Sequence, residues 1–315
     1  MMLSNCSSVS FNPETDLPPL DGRVIFVTGG THGLGKQSVL EFARHNPREI
    51  WLAARNVVQA RIVANEITQI VPGATIQILE LDLTSFSSVE KAAETFLSAC
   101  DRLDILMLNA GIMAVPPGIT NEGYEIQFGT NHMGHALLSK LLLPILDKTI
   151  NTAPGADVRI VSVSSKGHRY LPRGGFRFDS LTTTGDDLGA YGRYYQSKLA
   201  NVLWVKHMAE LYPQFRVVAV HPGVVQTQLM DGATASPTMV QAFAKVAYRL
   251  FKPVEMGVRN QLWASVARDV QSGEYYEPVG VRGRASDDGK DRKLAQELWE
   301  WTENELNRYL ARSVK

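Results

Sequence analysis

The chain has 315 residues, of which 44% are hydrophobic and 20% are charged, and its 32 lysines and arginines balance its 32 aspartates and glutamates. This composition supplies enough apolar material for a sizeable core and excludes global disorder. Because the charges balance and no long run of one sign occurs, the sequence predicts no nucleic-acid partner and no polybasic membrane contact.

The N-terminal segment is polar, contains prolines and lacks a basic region followed by an apolar one. We expect residues 1–20 to form a flexible leader and not a signal peptide. No uncharged apolar run reaches about 18 residues, so the sequence predicts no membrane anchor. Cys6 and Cys100 lie far apart without metal-ligand spacing, which predicts no metal site and favours a reducing, cytoplasmic location.

Short apolar runs alternate with helix-length segments along the chain. In chain order the runs are VIFVT, EIWLAA, TIQILEL, LDILMLN, VRIVSVSS and FRVVAVHPG. Almost wholly apolar strands separated by helices are typical of a parallel sheet that is covered on both faces. No linker or internal repeat divides the chain. The sequence therefore predicts an α/β fold with a single Rossmann-type doubly wound parallel sheet and helices on both faces, in one domain over residues 21–311.

Two segments have the character of insertions on this scaffold. Residues 168–190 are rich in Gly, Arg, Asp and Thr, and residues 226–250 follow the sixth predicted strand. In open α/β sheets, ligands bind outside the carboxyl ends of the strands. We expect both segments to be substrate loops that form the wall and lid of the pocket. Apolar residues in them, such as Tyr170, Phe176 and Leu229, favour an apolar substrate.

The TGGTHGLG stretch lies between the first predicted strand and the first predicted helix. Gly29, Gly33 and Gly35 allow the backbone to turn sharply and to approach a pyrophosphate, which helix N-terminal amides stabilise. The stretch also fits part of the phosphate loop of nucleoside triphosphatases. However, Gln37 stands where that loop needs a Ser or Thr to ligate magnesium. The sequence therefore favours a dinucleotide over a nucleoside triphosphate.

The end of the second predicted strand bears on the choice of dinucleotide. An acidic residue there accepts a hydrogen bond from the ribose 2′-hydroxyl of NAD. No carboxylate follows Trp51 to Ala54 in this chain, and Arg55 offers a guanidinium suited to a 2′-phosphate. We expect His32 to add a donor to the same phosphate. The alternative is that Arg55 merely begins a solvated helix, but the sequence favours NADP(H) over NAD(H).

Tyr194 and Lys198 are four positions apart, which places them on one face of a helix. An ammonium beside a phenol favours the phenolate, and poising a tyrosine near neutrality requires its pKa to fall by about three units. Tyr248 and Lys252 have the same spacing, but they precede a proline at an expected helix end. We interpret that second pair as structural. Ser165, in contrast, ends the fifth predicted strand shortly before Tyr194.

Taken in order, these motifs resemble those of the short-chain dehydrogenase/reductase superfamily across most of the chain. The shared motifs are Gly29 to Gly35, Asp82-Leu83, Asn109-Ala110-Gly111, Asn131, Ser165, Tyr194 with Lys198, and His221-Pro222-Gly223. The phrases NEGYEIQFGTNHMGHALL, YQSKLANVL and HPGVVQTQL are most similar to the branch of retinol dehydrogenases and WW-domain oxidoreductases. The resemblance implies hydride transfer between a nicotinamide and a carbonyl or alcohol carbon.

The resemblance also implies roles for four catalytic residues. Tyr194 would exchange the substrate proton, and Ser165 would hydrogen-bond the substrate oxygen. Lys198 would hold the nicotinamide ribose and lower the pKa of the tyrosine, and Asn131 would hold a water in a relay to Lys198. The residues expected to bind the cofactor are Gly29, Thr31, His32, Gly33, Leu34, Gly35, Arg55, Asp82, Leu83, Asn109, Ala110, Gly111, Tyr194, Lys198, Pro222, Gly223, Val225 and Thr227.

Several residues have structural alternatives. Asn131 would bend or cap its helix, Ser165 would satisfy a strand end, and Asp82 would cap the third helix. His132 and His135 lack the glutamate and spacing of a zinc motif, so we interpret them as packed or surface helix residues.

Two alternatives concern the whole protein. A non-catalytic regulator that senses NADP(H) is the competing function, although the presence of both Tyr194 and Lys198 favours catalysis. The resemblance implies a homodimer or homotetramer that forms through the helices over residues 121–146 and 191–212. The expected substrate is a fairly apolar small carbonyl or alcohol compound, of the kind handled in secondary metabolism.

Overall fold

The computed structural model describes residues 8–152, 155–171, 174–225, 234 and 251–313. Its core is one parallel sheet with the strand order β3-β2-β1-β4-β5-β6-β7. The strands are β1 (Val24–Thr28), β2 (Glu49–Ala54), β3 (Ile76–Glu80), β4 (Ile105–Leu108), β5 (Arg159–Val163), β6 (Arg216–Val220) and β7 (Tyr275–Tyr276). The first three strands run outward from β1, and β4 returns to its other side, so a topological switch point lies between β1 and β4. The predicted doubly wound parallel sheet is confirmed.

The helices cover both faces of the sheet. They are α1 (Pro13–Asp16), α2 (Gly33–Ala43), α3 (Val57–Ile70), α4 (Phe86–Ala99), α5 (Ile126–Phe128), α6 (Gly134–Thr152), α7 (Gly189–Leu211), α8 (Val254–Gly257), α9 (Arg259–Val266), α10 (Asp287–Lys290) and α11 (Arg292–Ser313). A π-helical turn, Gly129–Met133, joins α5 to α6. In the part of the chain that the structure describes, no helix is long and apolar enough to cross a membrane.

Alternation of side chains along the strands divides the core into two clusters. In β1, Phe26 packs with one cluster, whereas Ile25 and Val27 pack with the other on the opposite face. All three side chains are fully buried. This burial on both faces explains why the predicted strands are apolar throughout and do not alternate with polar residues.

The C-terminal helix α11 packs along α7, and its Glu303 Oε2 accepts from Lys140 Nζ of α6 at 2.5 Å. The rings of Trp299 on α11 and Trp204 on α7 stack with their centres 6.1 Å apart. His132 Nε2 lies 3.0 Å from Thr302 Oγ1, so His132 is a packed residue, as expected. The described residues contain no cluster of His, Cys, Asp or Glu that could hold a metal ion.

Residues 8–20 differ from the flexible leader that the sequence suggested. Phe11, Leu17 and Leu20 are buried, and Val9 N donates to Val279 O at 2.9 Å. The expectation of a loose segment is therefore wrong for residues 8–20, because their apolar side chains pack into the cluster that contains Ile25 and Val27. Residues 1–7 lie outside the described residues.

Candidate active site

A crevice of about 460 Å³ opens beyond the carboxyl ends of β1, β4, β5 and β6. It contains every described residue that the sequence analysis assigned to the cofactor. These residues are Gly29, Thr31, His32, Gly33, Leu34, Gly35, Arg55, Asp82, Leu83, Asn109, Ala110, Gly111, Tyr194, Lys198, Pro222, Gly223 and Val225. Thr227, together with residues 226–233 and 235–250 around it, lies outside the described residues. Ser165 also lines the crevice, as do Ile112 and Met113, which the sequence analysis did not single out.

The glycine turn brings the first strand close to the Asn109–Ala110 turn. Gly29 has a φ of +68°, and a Cβ atom there would lie 2.9 Å from Ala110 Cα. A Cβ atom on Gly35 would lie 2.1 Å from Gly29 O, far inside van der Waals contact. Only glycine fits these positions, and the close approach leaves the N-terminal turn of α2 facing the crevice.

A neutral histidine organises the floor of the crevice. His135 Nδ1 lies 3.1 Å from Asn131 O, which can only accept, so Nδ1 carries the proton. Nε2 then accepts from Thr28 Oγ1 at 2.9 Å, and Thr28 Oγ1 in turn accepts from the backbone N–H groups of Asn109 and Ala110 at 2.9 and 3.0 Å. Burial lowers the pKa of His135 to about 3, which keeps it neutral. This role of His135 was not predicted from the sequence.

Asn131 lies in the π-helical turn and is fully buried behind the crevice wall. Its Oδ1 accepts from Ile112 N at 2.8 Å, and its Nδ2 donates to Ile112 O and to Ser197 Oγ, each at 2.9 Å. A Cβ atom on Gly111 would lie 3.1 Å from Asn131 Oδ1 and 3.4 Å from Lys198 Nζ. Asn131 and Lys198 are therefore neighbours across Gly111. The predicted water relay stays a prediction.

The structure brings Ser165, Tyr194 and Lys198 together at the end of β5. Tyr194 and Lys198 lie on α7 and are 6% and 4% exposed. Lys198 Nζ lies 5.8 Å from the centre of the Tyr194 ring and donates to Val163 O at 2.9 Å. The Ser165 side chain faces the Tyr194 hydroxyl closely enough to lower its pKa. A serine, a phenol and an ammonium thus converge at the crevice.

The electrostatics of this group differ from the sequence-based expectation. Burial raises the pKa of Tyr194 to about 12, and the neighbouring Ser165 side chain offsets only part of this rise. Burial also lowers the pKa of Lys198 to about 8. Loss of hydration therefore dominates at both groups in the chain alone, and the lowering of the tyrosine pKa by Lys198 stays a prediction.

Ser165 is also held by its own loop. Its Oγ accepts from Gly167 N at 3.0 Å, so the structural alternative of satisfying a strand end applies as well. His168 Nδ1 lies 2.6 Å from Ser165 O, and His168 Nε2 accepts from Ser286 N at 3.0 Å. Both ring nitrogens of His168 therefore have partners that fix one neutral tautomer. This contact was not predicted from the sequence, although a histidine three positions after the serine is a signal for it.

The far end of the crevice lies beside the carboxyl end of β2. Arg55 and His32 are exposed there, and His32 Nδ1 lies 3.0 Å from Thr31 Oγ1. Asp82 also lines the crevice. Its Oδ1 accepts from the backbone N and the Oγ1 of Thr84 at 2.9 and 2.8 Å. The N-cap of α4 is Ser85, so the alternative of Asp82 as the helix cap is wrong.

Comparisons with known proteins show the family of the chain. Residues 23–173 match the family model described as short chain dehydrogenase. The chain is 34% identical to short-chain dehydrogenase/reductase drtF of Aspergillus calidoustus over 93% of this chain and 96% of that protein. It is 33% identical to human retinol dehydrogenase 13 over 89% of this chain and 83% of that protein.

The fold has solved counterparts. A short chain dehydrogenase of Shigella flexneri solved with NADP superposes with a TM-score of 0.63 at 22% identity, over 82% of this chain and 98% of that one. At that identity the likeness shows the fold alone, whereas the sequence relatives cover nearly the whole chain. The chain belongs to the short-chain dehydrogenase/reductase family and is similar to its retinol dehydrogenase branch.

Proposed function

We propose that this protein is an NADP(H)-dependent oxidoreductase that acts on a carbonyl or alcohol carbon of a fairly apolar small molecule. The observation that carries the proposal is the convergence of Ser165, Tyr194 and Lys198 on the crevice that the glycine turn of Gly29 to Gly35 borders. When bound, the nicotinamide supplies or accepts the hydride.

The residues present fit a dinucleotide. The cradle formed by Gly29 and Gly35 has no room for a Cβ atom, which leaves backbone amides free to approach a pyrophosphate. The Asn109–Gly111 turn forms the floor beside it, and Lys198 has further N–H groups for a ribose besides the one donated to Val163 O. Pro222, Gly223 and Val225 supply the opposite wall.

Tyr194 is the residue that exchanges a proton with the substrate oxygen in this proposal. A pKa raised to about 12 keeps its hydroxyl protonated at neutral pH, which suits it to donate a proton to a substrate oxygen during carbonyl reduction. Ser165 Oγ hydrogen-bonds the same oxygen as charge develops on it. In the oxidative direction Tyr194 must lose its proton, and a positive charge on Lys198 favours that loss.

The preference for NADP(H) rests on Arg55 and His32. Both are exposed at the end of the crevice next to β2, where a guanidinium and an imidazole N–H suit a 2′-phosphate. The Shigella flexneri structure was solved with NADP, so a protein of this fold accommodates that cofactor.

An apolar substrate is favoured by aromatic residues of the loop that follows β5. Tyr170, in the loop over residues 168–190, is 55% exposed, and the centre of its ring lies 5.9 Å from that of Tyr195. Phe176 packs edge-on against Phe178, with the ring centres 4.9 Å apart, so it supports the loop from within.

The remaining expectations stay predictions. We expect residues 21–311 to form one catalytic domain with substrate loops near 168–190 and 226–250. We also expect a cytoplasmic location and a role in secondary metabolism. The alternative of a non-catalytic NADP(H) sensor is not favoured.

The proposal is tested by NADPH oxidation against a panel of apolar aldehydes, ketones and quinones, with NADH in parallel. We expect turnover of at least one panel member, with a higher kcat/KM for NADPH than for NADH. Tight NADPH binding without turnover of any carbonyl compound, or of the matching alcohols with NADP, would favour the sensor instead. Equal kcat/KM values for the two cofactors would contradict the assignment of Arg55 and His32.

A further inference from the structure

A buried ion pair joins the helix of Tyr194 to the helical run that carries Asn131. Arg193 directly precedes Tyr194 on α7, and its Nη1 lies 3.1 Å from Glu125 Oε1. The two side chains are 1% and 2% exposed. Glu125 is the N-cap of α5, and its Oε2 accepts from Phe128 N at 2.6 Å. Because α5 continues into the π-helical turn, one carboxylate links the elements that position Tyr194 and Asn131.

The guanidinium of Arg193 also holds the loop that follows Gly111. Its Nη2 donates to Val115 O at 2.9 Å, and its Nη1 donates to Pro116 O at 3.4 Å. We call the segment Ile112–Pro116 the wall loop. Arg193 thus binds a carboxylate and two main-chain carbonyls at once, which the planar fork of an arginine permits.

The wall loop contains a strained residue. Ala114 has a φ of +48°, a left-handed conformation that is unfavourable for any residue with a Cβ atom. Its side chain is fully buried, and its N–H donates to Gln127 Oε1 at 2.8 Å. Such a conformation persists only where the surroundings hold it. Arg193, through Val115 O and Pro116 O, and Gln127, through Ala114 N, provide hydrogen bonds that do so.

The wall loop faces the crevice. Ile112 and Met113 line it, and both backbone polar groups of Ile112 are bonded to the Asn131 amide. A shift of the carbonyls of Val115 and Pro116 would therefore move a surface beside the Tyr194 site. Positional errors of this kind reduce catalysis even when the reacting groups themselves are intact.

Stability alone does not explain two buried charges at this position. A well-packed apolar pair of similar volume is often at least as stable as a buried ion pair, because burying charges costs hydration. What an apolar pair lacks is directional bonding to Val115 O, Pro116 O and the α5 N-cap. Building on the proposed oxidoreductase function, we propose that Arg193, paired with Glu125, is a positioning residue that fixes the wall loop against Tyr194.

The test compares Arg193→Lys with Arg159→Lys. Arg159 has the same arrangement at the opposite end of β5. It is 1% exposed, pairs with Asp157, and its Nη1 donates to Ala264 O and Ala267 O at 2.9 and 2.8 Å. Lysine keeps the positive charge at both positions but lacks the planar guanidinium with its several N–H donors. It therefore cannot bind a carboxylate and two carbonyls at the same time. The pair of variants separates loss of a buried arginine from loss of the contact to the wall loop.

Two readouts are needed, of which only one requires turnover. We expect backbone amides of the wall loop to exchange with deuterium about tenfold or more faster in Arg193→Lys, and at the wild-type rate in Arg159→Lys. We expect kcat to fall about ten- to a hundredfold in Arg193→Lys at an NADPH Kd close to that of the wild type. Arg159→Lys should lower the Tm without a matching loss of kcat.

Unchanged exchange in the wall loop of Arg193→Lys, or a loss of kcat no larger than that in Arg159→Lys at equal Tm, would overturn the proposal. If Arg193→Lys does not fold, Gln127→Met removes the acceptor of Ala114 N from the other side, and the same faster exchange is expected. Absence of turnover in the wild-type protein would contradict the proposed function, while the exchange measurement would still decide whether Arg193 holds the loop.

Discussion

His168 Nδ1 donates to Ser165 O at 2.6 Å, so a histidine at the start of the loop after β5 fixes the backbone of the serine that faces Tyr194. The other ring nitrogen accepts from Ser286 N in the segment before α10. Two distant parts of the chain therefore meet at the serine through one neutral imidazole. Burial lowers the pKa of His168, which preserves this neutral state.

Replacing His168 tests this support of Ser165. His168→Leu removes both hydrogen bonds and leaves Ser286 N and Ser165 O without them, which should cost about 1–3 kcal/mol of unfolding free energy. We expect kcat to fall about tenfold because Ser165 loses its fixed position. Urea unfolding and steady-state kinetics measure the two effects. Wild-type kcat in a destabilised His168→Leu protein would show that the histidine supports the fold and not the serine.

Arg55 should determine cofactor preference. Arg55→Ala removes a charged partner for the 2′-phosphate, an interaction of about 1.5–3 kcal/mol, so the KM for NADPH should rise about 10- to 100-fold. The KM for NADH should not change, because NADH carries no such phosphate. Arg61→Ala, an exposed arginine on the following helix, is the matched control. An equal rise for both cofactors would contradict the assignment.

Gly35 should tolerate no side chain. Gly35→Ala places a Cβ atom 2.1 Å from Gly29 O, so the glycine turn must shift, at a cost of about 1–3 kcal/mol in stability. We expect NADPH affinity to drop sharply in a binding titration. Gly118→Ala is the control, because its Cβ atom would lie 3.8 Å from its nearest neighbour. Full NADPH affinity in Gly35→Ala would show that this turn does not bind the pyrophosphate.

Acid should destabilise the fold before it protonates most carboxylates. Burial lowers the pKa of His132, His135 and His221 to about 3 each, against about 6.5 in an unfolded chain. Between these values the unfolded state binds more protons, so stability is complete above about pH 6.5 and falls as the pH drops. At pH 5 the loss is at most about 2 kcal/mol per histidine.

Urea unfolding at pH 7.5 and pH 5 measures this effect. His132→Gln should reduce the pH dependence, because one of the three neutral imidazoles is then absent. Equal stability of the wild-type protein at the two pH values would contradict the neutral, buried state of these histidines.

The strands were predictable because a strand that is buried on both faces of a sheet is apolar along its whole length. The observed β1 and β2 coincide with the apolar runs VIFVT and EIWLAA residue for residue. The two-residue β7 was not predicted, since so short a strand has no periodicity to detect. The packing of residues 8–20 was also missed, because Phe11 and Leu17 are isolated apolar residues whose partners lie far along the chain.

The site was predictable where motifs lie at strand ends, since parallel strands bring those ends together. Ser165, Tyr194 and Lys198 meet as the sequence indicated. The supporting contacts of His135 and His168 were not predictable, because each depends on which distant atoms face a ring nitrogen. The direction of the Tyr194 pKa shift was missed for a similar reason: it depends on burial in the assembled fold.

The most direct test of the central claim is a comparison of Tyr194→Phe with Tyr195→Phe in NADPH-dependent carbonyl reduction. Each variant loses one phenolic hydroxyl from adjacent positions of α7, but of the two tyrosines only Tyr194 lines the crevice with Ser165. We predict that Tyr194→Phe binds NADPH with near wild-type affinity and loses turnover by at least about a hundredfold, whereas Tyr195→Phe retains it. Undiminished turnover in Tyr194→Phe would contradict the account.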